Sequence, residues 1–404
     1  MVQWAAERDL VVAVQASGHG AGAPVGEDRV LIDTSSLTDV EIDPATRTAR
    51  VGAGATWSTV NVIAQRHGLF GLAGSSPTVA VAGYTFGGGV GWLTRPLGMA
   101  SSALIAVDYV DGQGRLRRAA EDAPDPNDRA ALWAFRGGGG VGVATSLTFD
   151  LVSPQALYAG YRLWEIGALE PVVDAWTTAM AEVGDSLTTS LSVLHTPPGP
   201  PFPPALQNVP IVHLAFASAA GEPAAAPLLH ALHHVPPPTV DSAWAPADAA
   251  RLAEIHLDPP GPLPALGVGR WLGARAPALA HDLLAGVASQ DSPVAMTELR
   301  NLGNSAPPRA GAQTAVPGPY LLHAVGVAAD PGSRAATERG LAQLVAIATP
   351  ADVGLAAASF ADGREAVADG LSDSDLERLA GVRAAVDPDR RIAPSRLSAS
   401  SGGV

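Results

Sequence analysis

Glycine is gathered into three clusters within the first 152 residues, at Gly18–Gly26, Gly83–Gly91 and Gly137–Gly142. It loses more conformational freedom on folding than any other residue, so a chain that concentrates it gives up helix and strand stability there. Three clusters in one stretch point to backbone that must approach something closely. A tight turn is the alternative for any one of them. Between the clusters, Val11–Val14, Val30–Asp33, Thr48–Gly52, Ile105–Val110 and Thr145–Leu151 read as strands. Trp57 to His67 places apolar residues at Trp57, Val60, Ile63 and Ala64, a helical spacing that Gly68 stops.

The strand Leu10–Val14 followed by Gly18-His-Gly20-Ala-Gly22 has the outline of a dinucleotide fingerprint. That fingerprint requires a helix directly after the glycines, whose N-terminus receives a pyrophosphate. Here Ala-Pro-Val-Gly-Glu-Asp and a second strand follow, so an NAD-type Rossmann unit is excluded on context. The loop can still hold a phosphate, because successive amide N–H groups of a glycine-rich turn form an anion nest.

Such a nest needs no lysine, and the chain has none: all 25 of its basic residues are arginine. Schiff-base chemistry, pyridoxal phosphate attachment and a P-loop lysine are thereby excluded. The absence of cysteine removes disulfides, iron–sulfur clusters, thiolate zinc sites and cysteine nucleophiles. A net charge of −14 repels nucleic-acid phosphates and anionic lipid, so neither is expected as a partner. Charges at Glu7, Arg8 and Asp9 break what would be the apolar part of a signal peptide. The most apolar stretch, Leu72 to Leu93, contains Pro77 and six glycines and does not read as a membrane span. A cytoplasmic protein is the expectation. The chain opens almost inside a helix (Trp4 to Arg8) that runs straight into Leu10–Val14, so a further N-terminal piece is expected upstream of Met1.

Past Ser153 the texture changes. Pro171 to Val183 reads as a helix and Leu187–Leu194 and Val212–Ala217 as strands, and 17 prolines between Pro197 and Pro264 demand extended loops. Tyr320–Val327 is another strand, Ala335 to Ala348 a helix, and Leu376 to Val386 a last helix closed by Asp387-Pro388. Mixed runs of this kind make a second α+β domain.

Four segments, taken in order, carry a family resemblance. Val14-Gln-Ala-Ser-Gly18-His19-Gly-Ala-Gly22 resembles the pyrophosphate loop of FAD-linked oxidases of the vanillyl-alcohol oxidase superfamily, berberine-bridge-enzyme-like branch. Val51-Gly-Ala-Gly-Ala-Thr-Trp57 is similar to the turn into that family's first-domain helix. Leu72 to Val79 with Ala82 to Gly91 is similar to its second flavin-contact segment, and Leu132-Trp-Ala-Phe-Arg136-Gly-Gly-Gly to the stretch closing its flavin domain. The fold implied is α+β: a two-domain arrangement of a PCMH-type FAD-binding domain and a substrate domain with an antiparallel sheet and covering helices. The implied division is an FAD-binding domain at 1–152, N-terminally incomplete because that family's small first lobe has no counterpart. A substrate domain follows at 153–352, then a segment at 353–397 returning to the FAD domain, and a tail at 398–404.

The resemblance implies FAD as cofactor and an oxidoreductase acting on a hydroxyl or activated C–H of a sugar or secondary metabolite. Hydride would pass to flavin N5, and oxygen or another electron acceptor would reoxidise the flavin. It places Ser17, Gly18, His19, Gly20, Gly74, Ser75, Ser76, Thr78, Gly83, Gly87, Gly88, Gly89 and Val143 against the flavin. His19 matches the histidine that often bonds to the flavin 8α-methyl, with a hydrogen-bonded loop histidine beside a non-covalent flavin as the alternative. Ser76 stands where some relatives carry a second, cysteine link. The usual Gly-Asn-Phe-Gly turn is shortened to Gly140-Val-Gly142, and Ala357-Ala-Ser-Phe360 replaces the Tyr-x-Asn pattern that often carries the base.

Tyr320 is the candidate base, since a hydroxyl proton must be taken by a group within about 3 Å. His323 falls on the opposite strand face, and sheet packing is the alternative for both. His230, His233 and His234 have ligand-like spacing, but run into three prolines without a carboxylate pair, so no metal site is expected. Two rival functions remain open: a degenerate, non-catalytic flavin-fold protein, and a flavin dehydrogenase that does not use oxygen.

Overall fold

The computed structural model describes residues 1–397 apart from 22–23, 155, 243, 260, 262, 304–308, 365 and 368. Gly22 of the first glycine cluster and the tail 398–404 lie outside the described residues. The chain forms two units, one of residues 1–153, 306–315 and 364–404, the other of 154–305 and 316–363.

In the first unit β1 (Val11–Gln15) and β2 (Arg29–Asp33) pair in parallel. Strands β3 (Val40–Asp43), β4 (Thr48–Gly52), β5 (Leu104–Val110), β6 (Leu116–Ala120) and β7 (Val143–Asp150) form an antiparallel sheet in the order β3-β4-β7-β5-β6. The expected helix spans Trp57–Ala64, and a 3₁₀ turn over Gln65–His67 ends at Gly68 with φ 66°. A non-glycine residue pays for that left-handed geometry, so the stop was legible. Trp57 packs against Phe149 of β7 at 5.5 Å between ring centroids. Short helices at Thr94–Leu97 and Ala100–Ala103 and two longer ones were not foreseen. Val81–Phe86 lies inside the second glycine cluster, and Pro126–Phe135 is started by the side chain of Asp125 accepting the Asn127 amide. Phe135 then seals the core against Phe86 and Tyr109.

Two chain segments return to this unit. Val12 N–H donates to Arg391 O at 2.7 Å and Ala393 N–H to Val12 O at 2.8 Å, so the stretch after the helix Asp373–Val386 lies along β1. Residues 309–315 are held by the buried Arg136, which donates from Nε to Leu104 O (2.8 Å) and from Nη1 to Ala310 O (3.0 Å). Ser101 adds a hydroxyl donated to Gln313 O at 2.6 Å. The first unit therefore takes in this short segment, which the sequence did not separate from its surroundings.

The second unit is one antiparallel sheet of β8 (Tyr158–Glu165), β9 (Leu187–His195), β10 (Pro210–Ser218), β11 (Val240–Asp241), β12 (Ala245–Pro246), β13 (Ala265–Leu272), β14 (Val294–Asn301), β15 (Tyr320–Val327) and β16 (Asp352–Ala356). Its order is β11-β8-β10-β9-β14-β15-β13-β16, with β12 also on β8. Because β16 pairs with β13, this unit runs to Gly363, and the return to the first unit begins at Arg364 rather than at 353.

Strand side chains alternate faces, and here the alternation divides apolar from polar. Leu191, Val193, Val212, Leu214, Phe216, Leu299, Tyr320, Leu322 and Ala324 share one core with residues of the helices Leu169–Ala179, Ala226–Ala231, Ala280–Ala285 and Pro331–Ala348. On the other face the register lines up His213 with Ser192, Ser192 with Glu298, Glu298 with His323, and His323 with Gly269. That face carries buried charged and polar side chains, among them His213, Glu298 and Arg300.

Candidate functional site

In the first unit, two glycine–serine loops are tied together, since Ala80 N–H donates to Ser17 Oγ at 3.2 Å. Gly18 and Gly20 sit at φ 70° and 68°, and Arg396 donates to Gly20 O, which fixes the loop. Left-handed residues flanking His19 turn consecutive amides outward, as an anion nest requires. Among the described residues, no acceptor takes the N–H of Gly18, His19 or Gly20, nor of Gly74, Ser75, Ser76 or Thr78. The His19 imidazole is exposed at the tip. Ser76 and Thr78 hydroxyls lie 3.4 Å apart.

The third stretch is more structural. Gly89, at φ 73°, could not carry a Cβ, which would lie 2.6 Å from the Tyr84 ring, and Gly88 is closed off by Met99 in the same way. Gly87 N–H closes the helix on Gly83 O at 3.1 Å, whereas Gly83 faces open space. Val143 places its side chain in a small core with Val2, Ala5, Val12 and Ile392, so only its backbone is available to a cofactor.

In the second unit, Tyr320 lies on the helix-covered face, its ring edge-on to Trp176 at 6.3 Å. A phenol in that core is not presented to a substrate from the polar face. His323, three residues on and on the polar face, has a different setting. Its Nε2–H donates to Asp362 Oδ2 at 3.4 Å, its ring meets Phe360 at 4.9 Å, and the buried Nδ1 has no hydrogen-bond partner among the described residues. Gly269 makes this possible, because a Cβ there would fall 2.6 Å from Ala357 O and from Phe360 Cβ. Without a side chain at 269, the segment carrying Phe360 and Asp362 can lie across the strand.

Beside His323 is a buried ionic chain. Glu298 and Arg300 share a face by strand spacing and bond bidentately, Nε to Oε1 at 2.7 Å and Nη2 to Oε2 at 3.0 Å. His256 donates from Nε2 to Glu298 Oε2 (3.1 Å) and from Nδ1 to Asp258 Oδ1 (2.6 Å). Leu257, between His256 and Asp258, is held at φ 63°, a conformation that costs a branched residue about 1–2 kcal/mol. That kink turns the flanking side chains toward each other.

Burial alone would raise the Glu298 carboxyl, but the Arg300 guanidinium and His256 outweigh it and hold it well below the carboxylate range. Burial would likewise strip His256 of its proton, yet Asp258 and Glu298 raise it to about 10. His213 is pushed down to about 4 by burial and by the charge on His256, and as a neutral ring donates Nε2–H to Ile255 O. A faint sign of this cluster stands in Glu298-x-Arg300, two charges at strand spacing. His256, Asp258 and Asp362 come from loops and carried none. The three histidines at 230, 233 and 234 are all exposed at a helix end.

Residues 1–120 match the profile of the family described as FAD binding domain. Among curated proteins, the chain is 32% identical over 180 residues to the FAD-linked oxidoreductase YvdP of Bacillus subtilis, covering 43% of the chain and 39% of that protein. It is 28% identical over 198 residues to (R)-6-hydroxynicotine oxidase of Paenarthrobacter nicotinovorans, covering 48% and 42%. The match thus spans about two fifths of the length of these relatives. In fold the chain is similar to 6-hydroxy-D-nicotine oxidase of Arthrobacter nicotinovorans (TM-score 0.82, 21% identity, 98% of the chain and 88% of the other). It is also similar to Physcomitrella patens BBE-like 1 (TM-score 0.78, 16% identity, 100% and 89%). FAD fits the first unit's loops by donor chemistry: its pyrophosphate is a dianion, and two tethered loops of unpaired amides can bind it in a chain without lysine.

Proposed function

We propose that the chain is an FAD-linked oxidoreductase of the vanillyl-alcohol oxidase superfamily, in its berberine-bridge-enzyme-like branch, and that it oxidises a hydroxyl or activated C–H group of a small molecule. The reading is supported by the FAD binding domain profile over residues 1–120 and the similarity to FAD-linked oxidoreductases. Bound FAD supplies the hydride acceptor. The loops at 17–20 and 74–78 hold the pyrophosphate through amides, and the His19 imidazole is the point of covalent attachment to the flavin.

The observation that carries the reading is the His323–Asp362 pair. Asp362 accepts from Nε2–H, which leaves Nδ1 as the lone-pair nitrogen, and among the described residues Nδ1 makes no hydrogen bond. A base must meet its proton directly, and a ring oriented by a carboxylate is the arrangement that does so. His323 therefore replaces Tyr320 as the base. Glu298, whose Oε2 lies 4.0 Å from His323 Nδ1, stabilises the imidazolium that forms.

The test begins with an absorption spectrum of the purified chain before and after acid precipitation. Flavin colour retained in the pellet, and released in His19→Ala, is expected. A colourless protein that takes up no added FAD would sink the oxidoreductase reading and favour a non-catalytic scaffold. Anaerobic flavin reduction by a panel of small alcohols and sugars then reads the base: His323→Asn should slow reduction by about 10²–10⁴-fold. Reoxidation of the reduced flavin by air, or its failure, separates an oxidase from a dehydrogenase.

A further inference from the structure

We propose that β2 is the seam of a two-fold dimer, pairing antiparallel with the same strand of a second copy of this chain. A sheet of two strands is marginal by itself, and β1 with β2 is such a sheet. One side of β1 is covered, because Val12 donates its N–H to Arg391 O and accepts at its carbonyl from Ala393 N–H. Val11, Ala13 and Gln15 therefore turn their main chain toward β2. Val11 N–H donates to Asp28 O at 3.0 Å, and Gln15 O accepts from Thr34 N–H at 2.8 Å. Between those two bonds, a parallel ladder uses the main chain of Val30 and Ile32. The main chain of Arg29, Leu31 and Asp33 is left facing outward, and among the described residues no strand pairs with β2 on that side. Such an edge is a template for another strand.

The residues of β2 select which strand. Arg29-Val-Leu-Ile-Asp33, turned against itself about Leu31, sets Arg29 opposite Asp33 of the second copy, Val30 opposite Ile32, and Leu31 opposite Leu31. The three outward-facing residues then all fall in hydrogen-bonded antiparallel pairs. Leu31 N–H of each copy donates to Leu31 O of the other, and Asp33 N–H to Arg29 O. Arg29 N–H is already given to Gly26 O at 3.2 Å. The side chains of Arg29, Leu31 and Asp33 are exposed on one face of the strand, while Val30 and Ile32 pack on the core of Val2, Val12 and Ile392. Charges on an edge strand ordinarily guard it against pairing. Here they have opposite signs at symmetric places, so the two-fold register is the one in which each guanidinium meets a carboxylate. Apolar side chains gather at the same edge: Val14, Val25, Leu31 and Leu37 are each 39–42% exposed. The contact is smaller than a standard interface, and a charge of −14 on each copy opposes it at low salt, so the dimer is weak and depends on concentration.

The experiment exploits the absence of cysteine. Leu31→Cys, in the FAD-loaded full chain, puts a single thiol on the two-fold axis, where facing Cα atoms of a hydrogen-bonded pair lie about 5.5 Å apart, within disulfide reach. Mild oxidation should link it to itself about tenfold faster or more than Leu116→Cys, because paired thiols meet at a raised effective concentration. Leu116, on β6, is the more exposed of the two positions at 74%. In sedimentation velocity the unaltered chain should pass from monomer to dimer as its concentration rises. Arg29→Asp sets carboxylates opposite each other and should weaken the dimer by about tenfold or more, and Asp33→Arg added to it reverses each pair and should restore the dimer. Damage to the fold would not be rescued in this way. Equal rates of linking at the two positions, or a double variant as monomeric as the single one, overturns the proposal. A monomer whose Leu31 and Asp33 amides resist hydrogen exchange overturns it as well, since another segment would then lie along the edge.

Discussion

His256 keeps a proton in a site that burial would empty, and this has a thermodynamic signature. A group whose folded value lies above its unfolded one, here about 10 against 6.5, stabilises the fold fully below pH 6.5 and loses that contribution as pH rises toward 10. His213 has the opposite sign. Its folded value is lowered to about 4, so its penalty grows as pH falls from 6.5 toward 4. Stability is therefore expected to peak near pH 6.5 and to fall by a few kcal/mol on the alkaline side. Denaturant midpoints from pH 6 to pH 9.5 check this, and His256→Gln should flatten the alkaline slope. At Gly269 the constraint is steric. Gly269→Val forces a side chain into the space of Ala357 O and Phe360 Cβ, and should displace the segment bearing Asp362, at a cost of about 1–3 kcal/mol. A variant as stable as the parent in urea would remove that account of the glycine.

At the scale of elements, short segments are held by a few named bonds. Arg136 is buried and serves carbonyls on two different segments, Leu104 O and Ala310 O. Arg136→Met keeps the volume and leaves both acceptors without their donor, so a loss of about 1–3 kcal/mol per carbonyl is expected in urea unfolding. A smaller effect is expected at the last helix, Asp373–Val386, where Ser372 Oγ accepts the Asp375 amide at 3.2 Å. Ser372→Ala should cost about 1 kcal/mol by the same measurement. The helix spacing of Trp57–Ala64 and the strand alternation of Tyr320–Val327 were visible in the sequence because each buries one continuous face. Val81–Phe86 was not, because glycine at 83 and 87 suppresses the propensity signal while tertiary packing supplies the stability.

For the whole molecule, the glycine loops predict a fold stabilised by its cofactor. In His19→Ala, where the flavin can bind only reversibly, added FAD should raise the unfolding free energy by about 2.7 kcal/mol at a hundredfold excess over its Kd. Thermal scans with and without FAD measure it, and an unchanged midpoint would mean that the amides at 17–20 and 74–78 do not bind the dinucleotide. Among the described residues no helix is long and apolar enough to cross a membrane. The fold class and FAD were legible in the sequence, since four glycine-bearing segments in a fixed order encode backbone geometry that few other residues allow. Excluded chemistries were equally legible, because a residue type that is absent can do nothing in any fold. The polar face of the second unit was decided only by tertiary structure. Period-2 alternation told that Tyr320 and His323 oppose each other, but which of them meets the helices depends on what packs on each face. His256, Asp258 and Asp362 lie on loops without periodicity, and they become one ionic chain only when the paired strands β14 and β15 bring Glu298 and His323 into register.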